Sequence, residues 1–183
     1  MKDDLAKAGP TTLGGVDRYD FEAVYGEHIG FAWRCLRALG VPAASLDDAA
    51  QEVFLTVHRR LSDFRGDSSL RTWIYGIVRN IAANHRRSQR RRGPHESLSF
   101  ELEYTGPTPL EQLQIGETGA LIERFAAGLS EEKRELFMLA LIEDMSMPEV
   151  AQALALPLNT AYARLRQVRL ELRRAMQAQR GVL

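Results

Sequence analysis

Apolar residues recur every three or four positions along much of the chain, which is the spacing of one face of an α-helix. A first series begins at Phe21 and ends before Gly40, which is placed to stop a helix. A second series begins after Ser45. A third follows the turn-rich string SDFRGDSS, where Ser68 or Ser69 can cap the helix. The pattern predicts three packed helices in the first half of the chain.

A second helical set follows residues 93–108, where Gly-Pro pairs and the lack of a steady period mark a domain boundary. We find no strand pattern and no internal repeat. The sequence therefore predicts an all-α protein. The helices of the second set are expected at residues 110–127, 131–143, 147–154 and 160–179.

The charges are unevenly distributed, although the formal net charge is zero. Arginines dominate from Arg59 to Arg92 and again from residue 157 onward, whereas residues 93–119 contain glutamates and no Lys or Arg. Two basic blocks separated by an acidic connector can bind a polyanion at two places. The predicted organisation is a flexible tail (1–18), a helical domain (19–92), a flexible acidic linker (93–108) and a second helical domain (109–183).

Other features of the sequence exclude several classes of protein. The single cysteine, Cys35, excludes an internal disulfide and is interpreted as a core residue. No apolar run approaches the roughly 20 residues that span a bilayer, so we expect a cytoplasmic protein without membrane insertion of its own. The histidines have no metal-ligand spacing, and no phosphate-binding glycine loop appears. We expect neither an enzyme nor a cofactor.

The clearest local motif is SMPEVAQALALPLNTAYARLRQ, a short helix, a break and a longer basic helix. Ser146 and Glu149 form a predicted capping box for the short helix, and Asn159 or Thr160 can cap the long one. This layout is typical of a helix-turn-helix, whose second helix enters the major groove. Arg164 and Arg169 are placed for phosphate contacts. The residues expected to reach base edges are Tyr162, Ala163, Arg166 and Gln167. A solvated basic helix in an ordinary bundle is the alternative.

Two further surfaces are predicted in the first domain. On the third helix, Trp73, Tyr75 and Asn80 accompany exposed arginines, a combination that suits unstacked single-stranded nucleic acid. Tyr75 lies off the apolar stripe and is expected to be exposed, while Trp73 is either a core residue or a wedge at a duplex edge. The arginines are Arg71, Arg79, Arg86 and Arg87. On the second helix an acidic outward face, either solvated or a docking site for a basic partner, contains Asp48, Gln51 and Glu52.

Two segments that contain these motifs resemble a known protein family. The segment LDDAAQEVFLTVHRRLSDFRGDSSLRTWIYGIVRNIAANHRR resembles region two of the extracytoplasmic-function (ECF) sigma factors of bacterial RNA polymerase. The segment LSEEKRELFMLALIEDMSMPEVAQALALPLNTAYARLRQVRLELRRAM resembles their region four. The resemblance implies an alternative sigma factor that binds core RNA polymerase and promoter DNA, melts the promoter and is held inactive by an anti-sigma protein.

The resemblance also assigns roles to residues. Asp48, Gln51 and Glu52 would bind the polymerase clamp. The minus-ten element would be melted and read by Arg65, Ser68, Ser69, Arg71, Trp73, Tyr75, Arg79, Asn80, Arg86 and Arg87. The minus-thirty-five element would be contacted by Asn159, Thr160, Tyr162, Ala163, Arg164, Arg166, Gln167 and Arg169.

Four positions depart from the family pattern. Glycine is usual where Ala155 and Asn159 stand, and a basic residue followed by serine is frequent where this chain has Tyr162-Ala163. Alanine in the left-handed conformation costs about 1 kcal/mol or more. Two other functions therefore stay open: a stand-alone helix-turn-helix regulator and a sigma-like adaptor without promoter activity.

Overall fold

A computed structural model gives the structure of residues 19–92, 119 and 121–180. All regular elements of these residues are helical, which confirms the all-α prediction. The predicted tail and linker lie outside the described residues, and so does most of the helix expected at 110–127. The helices are α1 (Phe21–Ala38), α2 (Leu46–Arg60), α3 (Leu70–Arg92), α4 (121–128), α5 (Glu131–Phe137), α6 (Met147–Ala153) and α7 (Leu158–Arg180).

Helices α1, α2 and α3 pack against one another as predicted from their apolar stripes. Asp20 caps α1 by accepting a hydrogen bond from the backbone N–H of Glu22, and the chain leaves the helix through Gly40 at φ 82°. A glycine suits that position because it has no Cβ to clash in the left-handed region. Between the two candidate caps of α3, Ser69 is the one whose hydroxyl accepts the N–H of Thr72, at 3.2 Å.

Helices α4 to α7 form the second helical unit. A π-helical turn, Met138–Ile142, extends α5. The capping box of α6 is confirmed: the Glu149 carboxylate accepts hydrogen bonds from the Ser146 backbone at 3.0 Å and from its hydroxyl at 2.6 Å. These bonds hold the pKa of Glu149 below its ordinary value.

The turn between α6 and α7 partly differs from the prediction. Ala155 has φ 52°, so it does take the left-handed conformation expected at its place in the turn. The prediction that Asn159 or Thr160 caps α7 is wrong, because the helix already begins at Leu158. The N–H of Ala161 donates to the carbonyl of Pro157, which places Asn159 and Thr160 inside the first turn.

The two helical units pack directly on each other. Helix α3 contacts α6, and α1 contacts α5. Buried apolar side chains of both units, among them Ile74 in α3 and Leu136 in α5, belong to one continuous core. Along the described helices, none combines the length and the apolar character that a membrane span requires.

Candidate nucleic-acid and partner-binding surfaces

The acidic face of α2 points to solvent as predicted. Asp48, Gln51 and Glu52 are all exposed, and the Glu52 carboxylate lies 3.3 Å from His85 of α3. Leu55, one turn further along the same face, is 48% exposed. The sequence prediction missed Leu55, although its spacing of three and four residues from Glu52 and Gln51 places it on this face. The face therefore combines carboxylates with an exposed apolar side chain.

Three arginines of α3 form a row that faces the second helical unit. We call Arg71, Arg79 and Arg86 the arginine row. Each member is paired with a carboxylate of the segment 131–143. Arg86 lies 2.6 Å from Glu131 and Arg79 lies 3.6 Å from Glu135. The row is thus occupied by groups of the same chain, which the local sequence pattern did not indicate.

The third pair involves a buried carboxylate. The Glu143 side chain is 2% exposed and accepts from Arg71 Nη2 at 2.9 Å. Arg34 of α1 donates to it through Nε at 2.6 Å and Nη2 at 2.9 Å. Arg71 also donates to the Glu143 backbone carbonyl at 3.0 Å and stacks over the Phe31 ring, 4.8 Å from its centroid. Two-pronged arginine–carboxylate pairs of this kind are among the stronger hydrogen-bonded contacts in proteins.

The exposure predicted for Tyr75 is wrong. Its side chain is 1% exposed, because it lies on the side of α3 that the second unit covers. The hydroxyl is buried and faces the Glu135 carboxylate of α5. Periodicity within the first domain places Tyr75 off the apolar stripe, and the packing of the second unit on α3 contributes to its burial.

The segment before α3 keeps part of its predicted surface. Arg65 is exposed and Gly66 has φ 80°, whereas Ser68 and Ser69 are half-buried and occupied in local hydrogen bonds. Trp73 is half-buried and packs on Phe64, with 5.3 Å between the ring centroids. Further along α3, the side chains of Asn80 and Arg87 are exposed.

The outward face of α7 is open to solvent as predicted. Tyr162 is 51% exposed, and Ala163, Arg166, Gln167, Asn159 and Arg169 are exposed as well. Thr160 is half-buried. Arg164 is half-buried and pairs with Glu132 of α5 at 2.9 Å, so it braces α7 within its own unit. The inner side of the helix is fixed by Ala161, Leu165 and Val168, which are buried.

Comparison with known protein families matches both halves of the chain. Residues 24–92 match the model of sigma-70 region 2, and residues 120–172 match that of sigma-70 region 4. RNA polymerase sigma-H factor of Pseudomonas aeruginosa is 30% identical over 144 residues, which is 74% of this chain and 75% of that protein. The ECF RNA polymerase sigma-E factor of Escherichia coli K12 is 31% identical over 137 residues, covering 68% and 70%. The chain belongs to the ECF sigma factors. It is an alternative sigma factor, a protein that directs transcription initiation.

Two solved structures share the fold of this sigma factor. CnrH in complex with the cytosolic domain of CnrY has a TM-score of 0.61, with 22% identity over 86% of this sigma factor and 88% of that chain. The sigma factor RpoE in complex with the anti-sigma factor NepR, from Bartonella quintana, also has a TM-score of 0.61, with 19% identity and coverage of 86% and 97%.

The interior of the sigma factor contains its only cysteine. Cys35 is fully buried, as expected for a core residue, and burial raises the pKa of its thiol. Among the described residues, no group of three or more His, Cys, Asp or Glu is arranged to hold a metal ion.

Proposed function

We propose that this sigma factor acts through three separate surfaces. The exposed face of α2 binds core RNA polymerase, the segment 63–69 with α3 melts and reads the minus-ten element, and the outward face of α7 reads the minus-thirty-five element. The protein works by binding, without catalysis, in the cytoplasm. The division is supported by the placement of these surfaces on different elements, so that one chain can hold polymerase and two DNA elements.

The observation that carries the polymerase contact is the composition of the α2 face. Asp48 and Glu52 are exposed one turn apart, and exposed Leu55 lies next to them. Charged groups steer association and fix register, while an apolar side chain gains free energy when it leaves water. A basic partner surface with an apolar depression fits this face.

The DNA contacts rest on side chains that remain exposed. On the minus-ten side, Arg65, Asn80 and Arg87 are accessible. On the minus-thirty-five side, Arg166 can donate two hydrogen bonds to a guanine and Gln167 can pair with an adenine. Single-strand binding by the rest of α3 requires the arginine row, which is paired in the structure described here.

An anti-sigma protein is a further proposed partner. RpoE of Bartonella quintana was solved with the anti-sigma factor NepR, and CnrH with the cytosolic domain of CnrY. We infer that this chain is regulated by a protein of the same class.

The polymerase contact is tested by reversing the acidic face. We expect Asp48→Lys with Glu52→Lys to weaken binding to sigma-free core polymerase by at least about 10-fold, because like charges would then meet at the interface. The matched control is Glu22→Lys with Glu27→Lys, the same charge change on exposed residues of α1. Affinity is measured by fluorescence anisotropy of the labelled sigma factor at fixed salt.

The same titration separates the alternatives. Equal affinity of the acidic-face variant and the control for core polymerase would contradict the proposed docking face. A wild-type protein that binds promoter duplex but not core polymerase would be a stand-alone regulator. One that binds core polymerase without any DNA preference would be the sigma-like adaptor.

A further inference from the structure

Three arginine–carboxylate pairs join α3 to the second helical unit. Glu131 and Glu135 lie on α5, and Glu143 directly follows its π-helical extension; we call these three residues the acidic row. The arginine row runs along α3 at intervals of eight and seven residues, which are about 2.2 and 1.9 helical turns, so its members lie within about 80° of one another on one side of the helix. Each carboxylate meets one member of the arginine row. The distances are 2.6 Å for Arg86–Glu131, 3.6 Å for Arg79–Glu135 and 2.9 Å for Arg71–Glu143.

Glu143 makes the strongest of these contacts. Its carboxylate is buried and is held by two guanidinium groups of the other unit, those of Arg34 and Arg71. The chain turns sharply immediately afterwards, because Asp144 has φ 50°. A buried carboxylate that loses its cations is strongly unfavourable, whereas both arginines are partly exposed and can regain water. Among the polar contacts between the two units, loss of the Glu143 carboxylate is therefore expected to weaken their packing most.

We propose that the acidic row is an autoinhibitory contact, in which three carboxylates of the second unit occupy the positions on α3 that DNA phosphates take in the active protein. The proposal rests on the proposed minus-ten role of α3. Guanidinium groups bind carboxylate and phosphate with the same fork of N–H donors, so the two ligands compete for the same atoms. The free protein is closed on its own acidic row and opens before single-stranded DNA can bind.

The exposure of the α2 and α7 surfaces determines the order in which the sigma factor can bind its partners. The α2 face and the outward face of α7 are exposed in the closed protein, whereas Tyr75 is buried and the arginine row, although partly exposed, is paired with the acidic row. Closed sigma factor can thus meet polymerase and duplex DNA but not the melted strand. Contact with polymerase or duplex comes first, and separation of the units uncovers α3.

The experiment weakens the contact between the two units by substituting one residue of each unit in the full-length chain. Glu143→Gln removes the buried charge, and Arg34→Glu repels Glu143 from α1, outside the residues proposed to touch DNA. The matched controls are Glu132→Gln, which makes the same charge change on α5 facing α7, and Arg124→Glu, which makes the same change on exposed α4. Small-angle X-ray scattering measures the radius of gyration of each protein. Fluorescence anisotropy measures affinity for a labelled mixed-sequence 12-nucleotide single strand.

We expect both opening variants to expand and to bind the single strand about 10-fold more tightly than wild type, since a larger fraction is competent to bind. The controls should stay within about twofold of wild type. The Arg34→Glu result is especially informative, because a more negative protein would otherwise bind DNA more weakly.

Two other outcomes would overturn the proposal in distinguishable ways. If the opening variants expand but gain no single-strand affinity, α3 is not a single-strand-binding face and the proposed minus-ten role fails with the inference. If they neither expand nor gain affinity relative to the controls, while wild type with core polymerase still initiates at a promoter, the autoinhibitory contact is wrong and the proposed function stands.

Discussion

The two basic helices of this sigma factor, α3 and α7, have similar compositions and opposite environments. On α3, the arginine row is paired with carboxylates of the other helical unit. On α7, Arg166, Gln167 and Arg169 face solvent, and Arg164 is held by a carboxylate of its own unit. A basic helix face is therefore not by itself an available binding surface. Whether such a face can bind a partner depends on which residues of the same chain pack against it.

The largest expected effect concerns α7, the helix whose basic face is exposed to solvent. Arg166→Ala with Gln167→Ala should remove about 1–3 kcal/mol of base discrimination for each lost two-bond contact. Selection of bound duplexes from a randomised pool would then yield no preferred minus-thirty-five sequence, whereas the wild type enriches one. Single-strand affinity, which depends on α3, should not change.

Arg173→Ala is the matched control for that selection, since Arg173 is exposed on the same helix beyond its early turns. It should weaken duplex binding uniformly without altering the preferred sequence, as expected for a phosphate contact. An unchanged sequence preference in the Arg166 and Gln167 variant would show that α7 does not read bases and would remove the contrast between the two helices.

A smaller effect tests how α7 is held in place. Ala155→Gly should raise the free energy of unfolding by about 1 kcal/mol, because glycine takes the left-handed conformation without the Cβ penalty that alanine meets there. The same change at Ala153, the last residue of α6, should lower it by up to about 1 kcal/mol. Urea denaturation followed by circular dichroism measures both, and equal signs for the two variants would contradict the explanation.

The sequence predicted those features that depend on neighbours in the chain. Helical spacing gave α1, α2 and α3, and the Ser146–Glu149 pair gave the start of α6. The strain at Ala155 followed from its place in the turn. The start of α7 was misplaced by two residues, because Asn159 is a frequent capping residue although the turn already ends at Pro157.

The burial of Tyr75 and the pairing of the arginine row could not be derived in this way. Both depend on residues of the segment 131–143, some sixty residues further along the chain. Nothing in the spacing of α3 states which distant carboxylates will approach it. The acidic residues of α5 were visible in the sequence, but their partners were fixed only by the packing of one unit on the other.

The smallest expected effect is a pH dependence of the closed state. Burial raises the pKa of Glu135, and Arg79 opposes that rise only in part. Glu131, Arg86 and Tyr75 also face this carboxyl group. In the open protein Glu135 would be exposed, with an ordinary pKa, so the closed form binds the proton more tightly. Proton binding at Glu135 therefore stabilises the closed form. This stabilisation is fully present below the ordinary carboxyl pKa, and it is lost as the pH rises through the raised pKa that Glu135 has in the closed form.

Lowering the pH from neutral through that raised pKa should therefore reduce single-strand binding by α3 more than duplex binding by α7. Glu135→Gln mimics the protonated carboxyl group and should remove this part of the pH dependence. Glu132→Gln, which lies on the same helix but faces α7, should keep it. The measurement is the ratio of single-strand to duplex affinity across the titration. A ratio that rises as the pH falls would mean that the charge pair with Arg79 outweighs burial, and the acidic row would then open in acid.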